Sequence, residues 1–209
     1  MTEAVIVALG RSPIGRARKG SLVDVRPDDL AAYVVNKVLE KVPELDHSQI
    51  EDLICGCGLP GGEQGHNIGR VVSILSRLDV PGVTVNRYCS SSLMTTRMAA
   101  HAIEAGEGDV FLSVGVECVS RYGTGYPDAP DTYNAKLLPG NTEEYPDIYI
   151  AMGQTAPASS HRPTLRKRFA ASTCSRGSRS SASSGLKIVC IRARSRLRRS
   201  DSLRAAVIA

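Results

Sequence analysis

The sequence of 209 residues contains no tryptophan, two phenylalanines and seven tyrosines. It also lacks an apolar run of about 18 residues, the length that a membrane-spanning helix needs, so no transmembrane segment is predicted. The first residues lead straight into a strand pattern, without the basic region and long apolar region of a signal peptide. We therefore expect a cytoplasmic protein with no membrane partner, whose six cysteines are reduced thiols.

The cysteine spacing typical of metal sites is absent as well. Cys55 and Cys57 are separated by one residue rather than two, and no second Cys/His pair stands near them in the sequence. On a strand both side chains would point to the same face. We expect two buried thiols that pack as small apolar groups, and no metal site.

Acidic residues are almost absent from the last quarter of the chain. Residues 1–156 carry a net charge of −7, whereas residues 157–209 carry +12, with Asp201 as their only acid and with 12 serines. Dense like charge with few large apolar residues predicts a disordered tail. Basic runs also attract nucleic-acid phosphates. Because Phe169 is the only aromatic residue of the tail, no base-stacking surface is predicted, and we do not favour nucleic acid as a partner.

The first 120 residues contain an alternation of strand and helix patterns. Short β-branched runs alternate with segments whose apolar residues recur every three or four positions. The predicted strands cover about residues 3–9, 51–57, 83–86 and 109–116, and the predicted helices begin at about residues 27, 68 and 93. This order predicts an α/β domain with a mostly parallel sheet covered by helices, in which the strand-to-helix turns gather at one edge.

One cysteine occupies such a turn. Cys89 follows the third predicted strand and precedes the third predicted helix. Unpaired backbone N–H groups and the positive end of the helix dipole favour a thiolate at this place, so Cys89 is a candidate nucleophile, with a buried structural thiol as the alternative for a lone cysteine. We expect the histidines at positions 47, 66 and 101 to be loop or surface residues.

The segment Asn-Arg-Tyr-Cys-Ser-Ser at 86–91 resembles the nucleophile loop of thiolases, the enzymes that make or break the carbon–carbon bond of 3-oxoacyl-CoA thioesters. Five further segments resemble the same family in the same order. They are Arg-Ser-Pro-Ile-Gly at 11–15, Arg-Pro-Asp-Asp-Leu at 26–30, Gly-Glu-Gln-Gly-His-Asn at 62–67, Gly-Val-Glu-Cys-Val-Ser-Arg at 115–121 and Met-Gly-Gln-Thr-Ala at 152–156. The resemblance covers about three-quarters of the chain and corresponds to the N-terminal half of a thiolase.

The resemblance implies three regions. Residues 1–120 form a thiolase-like N-terminal α/β domain, residues 121–156 begin a thiolase-like loop domain, and residues 157–209 are the Arg/Ser-rich tail predicted to be disordered. It also implies that Cys89 holds the acyl group as a thioester, with acyl-CoA and CoA as substrates and no cofactor. The motifs favour the degradative 3-ketoacyl-CoA thiolases of fatty-acid β-oxidation, although acetyl-CoA C-acetyltransferases are close. Family dimers meet near the nucleophile strand, here residues 83–99, so a homo-oligomer is expected. No substrate-binding residue is assigned.

The chain departs from the family pattern in two ways. Ser92 stands where the family usually has glycine, three residues after the nucleophile. The chain also lacks the Gly-His-Pro, Cys-x-Gly and Asn-Glu-(Ala/Pro)-Phe segments, which in the family supply the activating histidine, a second cysteine and part of an oxyanion hole. General acid–base help contributes about 10²–10⁴-fold and an oxyanion donor about 10²–10³-fold, so we expect weak or absent turnover. The last strand of the family's N-terminal half is not recognisable either.

Three hypotheses follow. The favoured one is a truncated thiolase-like acyl-CoA C-acyltransferase with weak or no activity. The second is a non-catalytic remnant, or a partner of a full-length thiolase, and the third is a nucleic-acid binder that acts through its basic tail. The abrupt change of composition after Ala156, inside a family motif, suggests that residues 157–209 arose from a shift of reading frame.

Overall fold

The structure is a computed structural model of the 209-residue chain. It describes residues 3–121, 130–138, 140–141, 143 and 148–150, and the backbone of residues 183–184 and 187–194. The chain divides into two units, one formed by Met1–Pro127 with Ser181–Ala209 and the other by Asp128–Ser180. Nearly all of the described secondary structure belongs to the first unit.

The helices and strands of the first unit follow the predicted alternation. Its strands are β1 (Glu3–Arg11), β2 (Gly15–Arg16), β3 (Ile50–Gly56), β4 (Gly82–Val85), β5 (Val110–Gly115), β6 (Ser183–Ser184) and β7 (Lys187–Arg194). Its α-helices are α1 (Pro27–Leu39), α2 (Ile68–Leu75) and α3 (Ser91–Ala105). Short 3-10 helices span His47–Gln49, Gly62–Gln64, Tyr88–Ser90 and Val119–Arg121. The strands and helices predicted for residues 3–116 are confirmed to within a few residues.

Helix α1 begins where the sequence predicts. Pro27 occupies its first turn, where a missing N–H costs nothing, and Asp28 and Asp29 lie at the positive end of the helix dipole. Asp28 is buried and accepts two hydrogen bonds from the Arg26 guanidinium, at 3.0 Å from Nε and 2.8 Å from Nη2. The buried carboxylate is therefore paired, which fixes the entry to the helix.

The five-stranded sheet has the order β1-β7-β5-β3-β4. Strand β3 is parallel to both β4 and β5, so that Cys55 lies beside Thr84 on one side and Val114 on the other. Strand β7 is antiparallel to both of its neighbours. The predicted mostly parallel sheet is present, with one antiparallel strand inside it.

Strand β7 differs from the sequence prediction. It lies in the tail that we expected to be disordered, yet it occupies the position between β1 and β5 where Ile191 pairs with Ile6 and with Phe111. The physical reason is local, because the run Ile-Val-Cys-Ile at 188–191 has strong strand propensity despite the basic residues around it. The tail thus supplies one strand of the sheet; the other residues of the tail, apart from the short β6, lie outside the described residues.

Helices cover both faces of the sheet. Helices α1 and α2 pack on one face through residues such as Val35, Val38 and Val72, against Leu53 and Leu112 of the sheet. Helix α3 packs on the other face, where the core comprises Ile54, Ala99, Ile103 and Phe111. Each fully buried side chain of this size contributes about 1.5–3 kcal/mol, so both faces are held by apolar packing.

The second unit is described only in part. Tyr133 and Tyr149 stack with their ring centroids 4.2 Å apart, and the Tyr149 hydroxyl accepts a hydrogen bond of 3.1 Å from the backbone N–H of Asn134. Short 3-10 helices span Pro130–Thr132 and Ala135–Leu137. Across the described parts of both units, no helix has the length and apolarity that a membrane crossing requires.

Candidate active site

Cys89 lies at the carboxyl edge of the parallel strands. It is the middle residue of the 3-10 turn Tyr88–Ser90, which connects the end of β4 to the first residue of α3. Its thiol is exposed and not part of a disulfide. The structure therefore brings the predicted nucleophile to the predicted strand-to-helix turn, within reach of a substrate from solvent.

The side chains of Asn86 and Ser91 stabilise the loop around Cys89. Tyr88 has a left-handed backbone with φ of +47°, a conformation that costs a non-glycine residue about 1–2 kcal/mol. The Asn86 side-chain oxygen accepts from the Tyr88 N–H at 2.8 Å. The Ser91 hydroxyl accepts from the Arg87 N–H at 2.8 Å and donates to the Tyr88 carbonyl at 2.6 Å. These bonds offset the strain and hold the nucleophile loop in one conformation.

Glycines at the strand ends allow α3 to begin close to the sheet. A Cβ atom on Gly56 would lie 2.6 Å from the carbonyl carbon of Ser91, and one on Gly115 would lie 2.9 Å from the Cβ of Ser92. The Ser92 side chain thus occupies the space that Gly115 leaves empty. The departure from the family's glycine at position 92 is accommodated by this facing glycine, and the helix start stays in close contact with β3 and β5.

A second set of contacts joins the loops that follow β3 and β5. The Glu117 carboxylate accepts a hydrogen bond of 2.7 Å from the Gly58 N–H and one of 2.9 Å from the Gln64 side-chain amide. Gln64, which is buried, also donates to the Leu59 carbonyl at 3.1 Å and accepts from the Cys118 N–H. Gly58 in turn lies against the peptide of Tyr88.

An ion-pair network borders this region. Glu63 receives hydrogen bonds of 2.6 and 2.7 Å from Arg121 and one of 3.0 Å from Arg26. The bonds from Arg121, and secondarily the charge of Arg26, hold the pKa of Glu63 below its ordinary value. The network ties the turn Gly62–Gln64 to the exit of β5.

Two other cysteines, Cys55 and Cys57, are poor nucleophiles. Cys55 and Cys57 are fully buried, as the sequence predicts. Burial raises the pKa of both thiols, and the charge of Glu117 adds to the effect; for Cys57 the pKa rises to about 12. Both remain protonated near neutral pH. Among the described residues, no group of three or more histidines, cysteines or acids could hold a metal ion.

The described histidines do not activate Cys89 in this structure. His47, His66 and His101 are all exposed, and within the described part of the chain none of them is hydrogen-bonded to the Cys89 thiol. Sequence reasoning located Cys89 but assigned no role to Ser91 or Gln64. No signal in the sequence marks Gln64 as the partner of a residue 53 positions away.

Comparison with known proteins shows the family of this chain. A family model described as "Thiolase, N-terminal domain" matches residues 4–158. The chain belongs to the thiolase family. The match ends close to residue 156, where the sequence resemblance ends.

The relatives of this thiolase-family chain are longer than it is. The 3-ketoacyl-CoA thiolase of Bacillus subtilis (strain 168) is 42% identical over 159 residues, which cover 75% of this chain and 39% of the relative. The β-ketoadipyl-CoA thiolase of Acinetobacter baylyi is 43% identical over 123 residues, or 58% of this chain and 30% of the relative. The chain thus spans about two fifths or less of the curated relatives it matches.

The fold is that of a solved thiolase. The dimeric peroxisomal thiolase of Saccharomyces cerevisiae superposes with a TM-score of 0.72 at 20% identity, over 91% of this chain and 64% of that chain.

Proposed function

We propose that this chain carries the acyl-accepting part of a thiolase site, with Cys89 as the nucleophile. The observation that supports this most strongly is the exposed Cys89 thiol at the start of α3, in a loop whose Tyr88 backbone is held by hydrogen bonds with Asn86 and Ser91, within the segment that matches the thiolase family. The relatives are 3-ketoacyl-CoA thiolases, and their substrate class fits a thiol that exchanges acyl groups with CoA.

The proposed chemistry transfers an acyl group from carbon to the Cys89 sulfur and then from that sulfur to the sulfur of CoA. In the thiolysis direction, the Cys89 sulfur attacks the C3 carbonyl of a 3-oxoacyl-CoA and the C2–C3 bond breaks. The electron pair of that bond stays on C2, which takes up a proton to give acetyl-CoA. The thiol of a second CoA then attacks the acyl-cysteine, which releases a shortened acyl-CoA and returns the free Cys89 thiol. Acetyl-CoA acylates Cys89 in the reverse direction.

The reaction needs no cofactor beyond its CoA thioesters, since no electrons leave or enter. We propose that this reaction belongs to fatty-acid degradation in the cytoplasm. The motifs that resemble degradative thiolases and the expected reduced cysteines support this. The basic cluster Arg16, Arg18 and Lys19 is exposed. A solvated loop explains it, and attraction of CoA phosphates is the alternative.

Turnover by the chain alone is proposed to be slow or absent. The described residues offer Cys89 no bonded histidine, and the sequence lacks the family's Gly-His-Pro and Cys-x-Gly segments. The alternative function is therefore a non-catalytic remnant or a partner of a complete thiolase. A nucleic-acid role for the basic tail is the least favoured proposal.

Association through β4 is proposed as part of either function. Strand β4 is an edge of the sheet, and Val83, Tyr88 and Leu93 beside it are 36%, 61% and 73% exposed. An uncovered edge with apolar neighbours favours pairing with another chain. A second copy of this chain, or a full-length thiolase, would cover it.

The test of function is a thiolysis assay with acetoacetyl-CoA and CoA on the 209-residue chain, beside Cys89→Ala. The proposal expects at most slow turnover that is abolished in Cys89→Ala. Turnover that persists in Cys89→Ala would show that another residue performs the chemistry. Light scattering of the same samples measures association, and Leu93→Asp is expected to weaken it if the β4 surface is the contact.

A further inference from the structure

The nucleophile loop is connected to a carboxylate that no step of the proposed reaction uses. Glu117 lies after β5, on a different loop from Cys89, and it is partly buried. Its two oxygens meet two donors, the Gly58 N–H at Oε2 and the Gln64 amide at Oε1. We propose that Glu117 and Gln64 are positioning residues that set the placement of the Cys89 loop for acyl transfer; the proposal rests on the proposed function of Cys89.

The connection from Glu117 to Cys89 passes through Gly58. A Cβ atom on Gly58 would lie 2.8 Å from Glu117 Oε2 and 3.3 Å from both the carbonyl carbon and the carbonyl oxygen of Tyr88. The Gly58 backbone is therefore held between the Glu117 carboxylate and the peptide that precedes Cys89. If Gly58 shifts, it presses on the Tyr88 peptide. The carbonyl of that peptide also accepts the hydrogen bond of the Ser91 hydroxyl.

The donor and acceptor pattern requires a carboxylate at position 117. Both partners of its oxygens are N–H donors, so a glutamine in its place would turn one oxygen into an NH₂ group that faces another donor. Gln64 is equally constrained, because its amide donates to Glu117 and Leu59 while its oxygen accepts from the Cys118 N–H. The exchange of either residue leaves a buried polar group unpaired or misaligned.

The neighbouring Glu63 provides a matched control. It precedes Gln64 in the same turn and also holds the exit of β5, through Arg121, but its bonds run to Arg121 and Arg26 rather than to Gly58. Loss of its charge therefore weakens a comparable set of loop contacts without touching the connection to Cys89.

The experiment compares two reactions of Cys89 in the wild-type chain, E117Q, Q64A and E63Q. One is acetylation by acetyl-CoA, which requires the thiol to meet a bound carbonyl in a defined geometry. The other is alkylation by iodoacetamide, a small reagent that approaches from any direction. Both are followed by mass spectrometry of the Cys89 peptide. Alkylation of the buried Cys55 and Cys57 in the same samples reports any loss of the fold.

The proposal expects acetylation to slow on the order of tenfold or more in E117Q and Q64A, because small misplacements of reacting groups reduce rates by up to about a hundredfold. Alkylation of Cys89 changes less, Cys55 and Cys57 stay protected, and E63Q resembles the wild type. Equal acetylation in E117Q, Q64A and E63Q overturns the proposal. So does a parallel change of both Cys89 reactions together with exposure of Cys55 and Cys57, which would show a purely structural role.

The wild-type chain distinguishes failure of the proposed function from failure of this inference. If the wild-type chain is not acetylated at Cys89, the proposed function is wrong, and amide hydrogen exchange over residues 86–90 then decides the inference. Faster exchange in E117Q or Q64A but not in E63Q supports the positioning of the loop, whereas unchanged exchange in both overturns it. If E117Q does not fold, Q64A alone is used to decide the acetylation and the hydrogen-exchange measurements.

Discussion

Removal of strand β7 should unfold the first unit, even though β7 lies outside the segment matched by the thiolase family model. A chain that stops after Ser181 loses β6 and β7, whereas a chain that stops after Arg194 keeps both. The first unit of the shorter chain would have a gap between β1 and β5, because β7 is the strand that pairs with each of them. We expect that chain to lack a cooperative unfolding transition, and the longer one to retain the stability of the full chain.

The magnitude follows from the strand pairings. Strand β7 has eight register pairs with β1 and six with β5. With about 1 kcal/mol of net stabilisation per hydrogen bond and roughly one bond per pair, the loss is on the order of 10 kcal/mol. That is comparable to the whole free energy of unfolding of a typical domain, about 5–15 kcal/mol.

A milder change tests the same reasoning without shortening the chain. Ile191→Pro places a residue without an N–H in the middle of a central strand and should reduce the free energy of unfolding by about 1–3 kcal/mol or more. Ala205→Pro, beyond the described strand, is the matched control. The assay is urea unfolding followed by far-UV circular dichroism. The reasoning is refuted if the chain that stops after Ser181 unfolds with the midpoint of the full chain.

Three further predictions concern the site and the core. Gly115→Ala should reduce the free energy of unfolding by about 1–3 kcal/mol because its methyl group meets Ser92, and the loss should shrink when Ser92→Gly is also present; thermal melts of the four chains measure the coupling. Asp52→Asn should raise the melting temperature near neutral pH. Burial raises the pKa of Asp52, whose Oδ1 has no hydrogen-bond partner among the described residues, so the charged form weakens the wild type. Because a raised carboxyl pKa gives stability that is lost as pH rises through it, the advantage of Asp52→Asn should disappear as the pH falls below that pKa, and an advantage independent of pH would contradict the argument. Iodoacetamide should alkylate Cys89 well before Cys57, whose pKa near 12 and complete burial keep it protonated; equal rates without denaturant would show that the described core is not formed.

The elements that the sequence predicts correctly are those determined by residues close together in the chain. The run that forms β3 and the helical spacing that forms α1 are set by neighbouring residues, and both elements occur where the sequence indicates. Cys89 could be located because its turn lies between two such elements. Its role as a nucleophile remains a prediction.

What the sequence did not predict depends on contacts between distant residues. Strand β7 was missed because the basic composition of the tail outweighed a short β-branched run, and its place in the sheet depends on pairing with β1, more than 170 residues earlier. The bond between Gln64 and Glu117 likewise joins residues 53 positions apart. The fit of Ser92 could not be judged without knowing that Gly115 faces it.

The most direct test of the account is the intact mass of the 209-residue chain after incubation with acetyl-CoA, beside Cys89→Ala treated in the same way. The account predicts one added acetyl group, located on the Cys89 peptide, removed by added CoA and absent from Cys89→Ala. No acetyl group on Cys89 in a chain that keeps Cys55 and Cys57 protected would contradict the claim that this member of the thiolase family carries an acyl-accepting nucleophile.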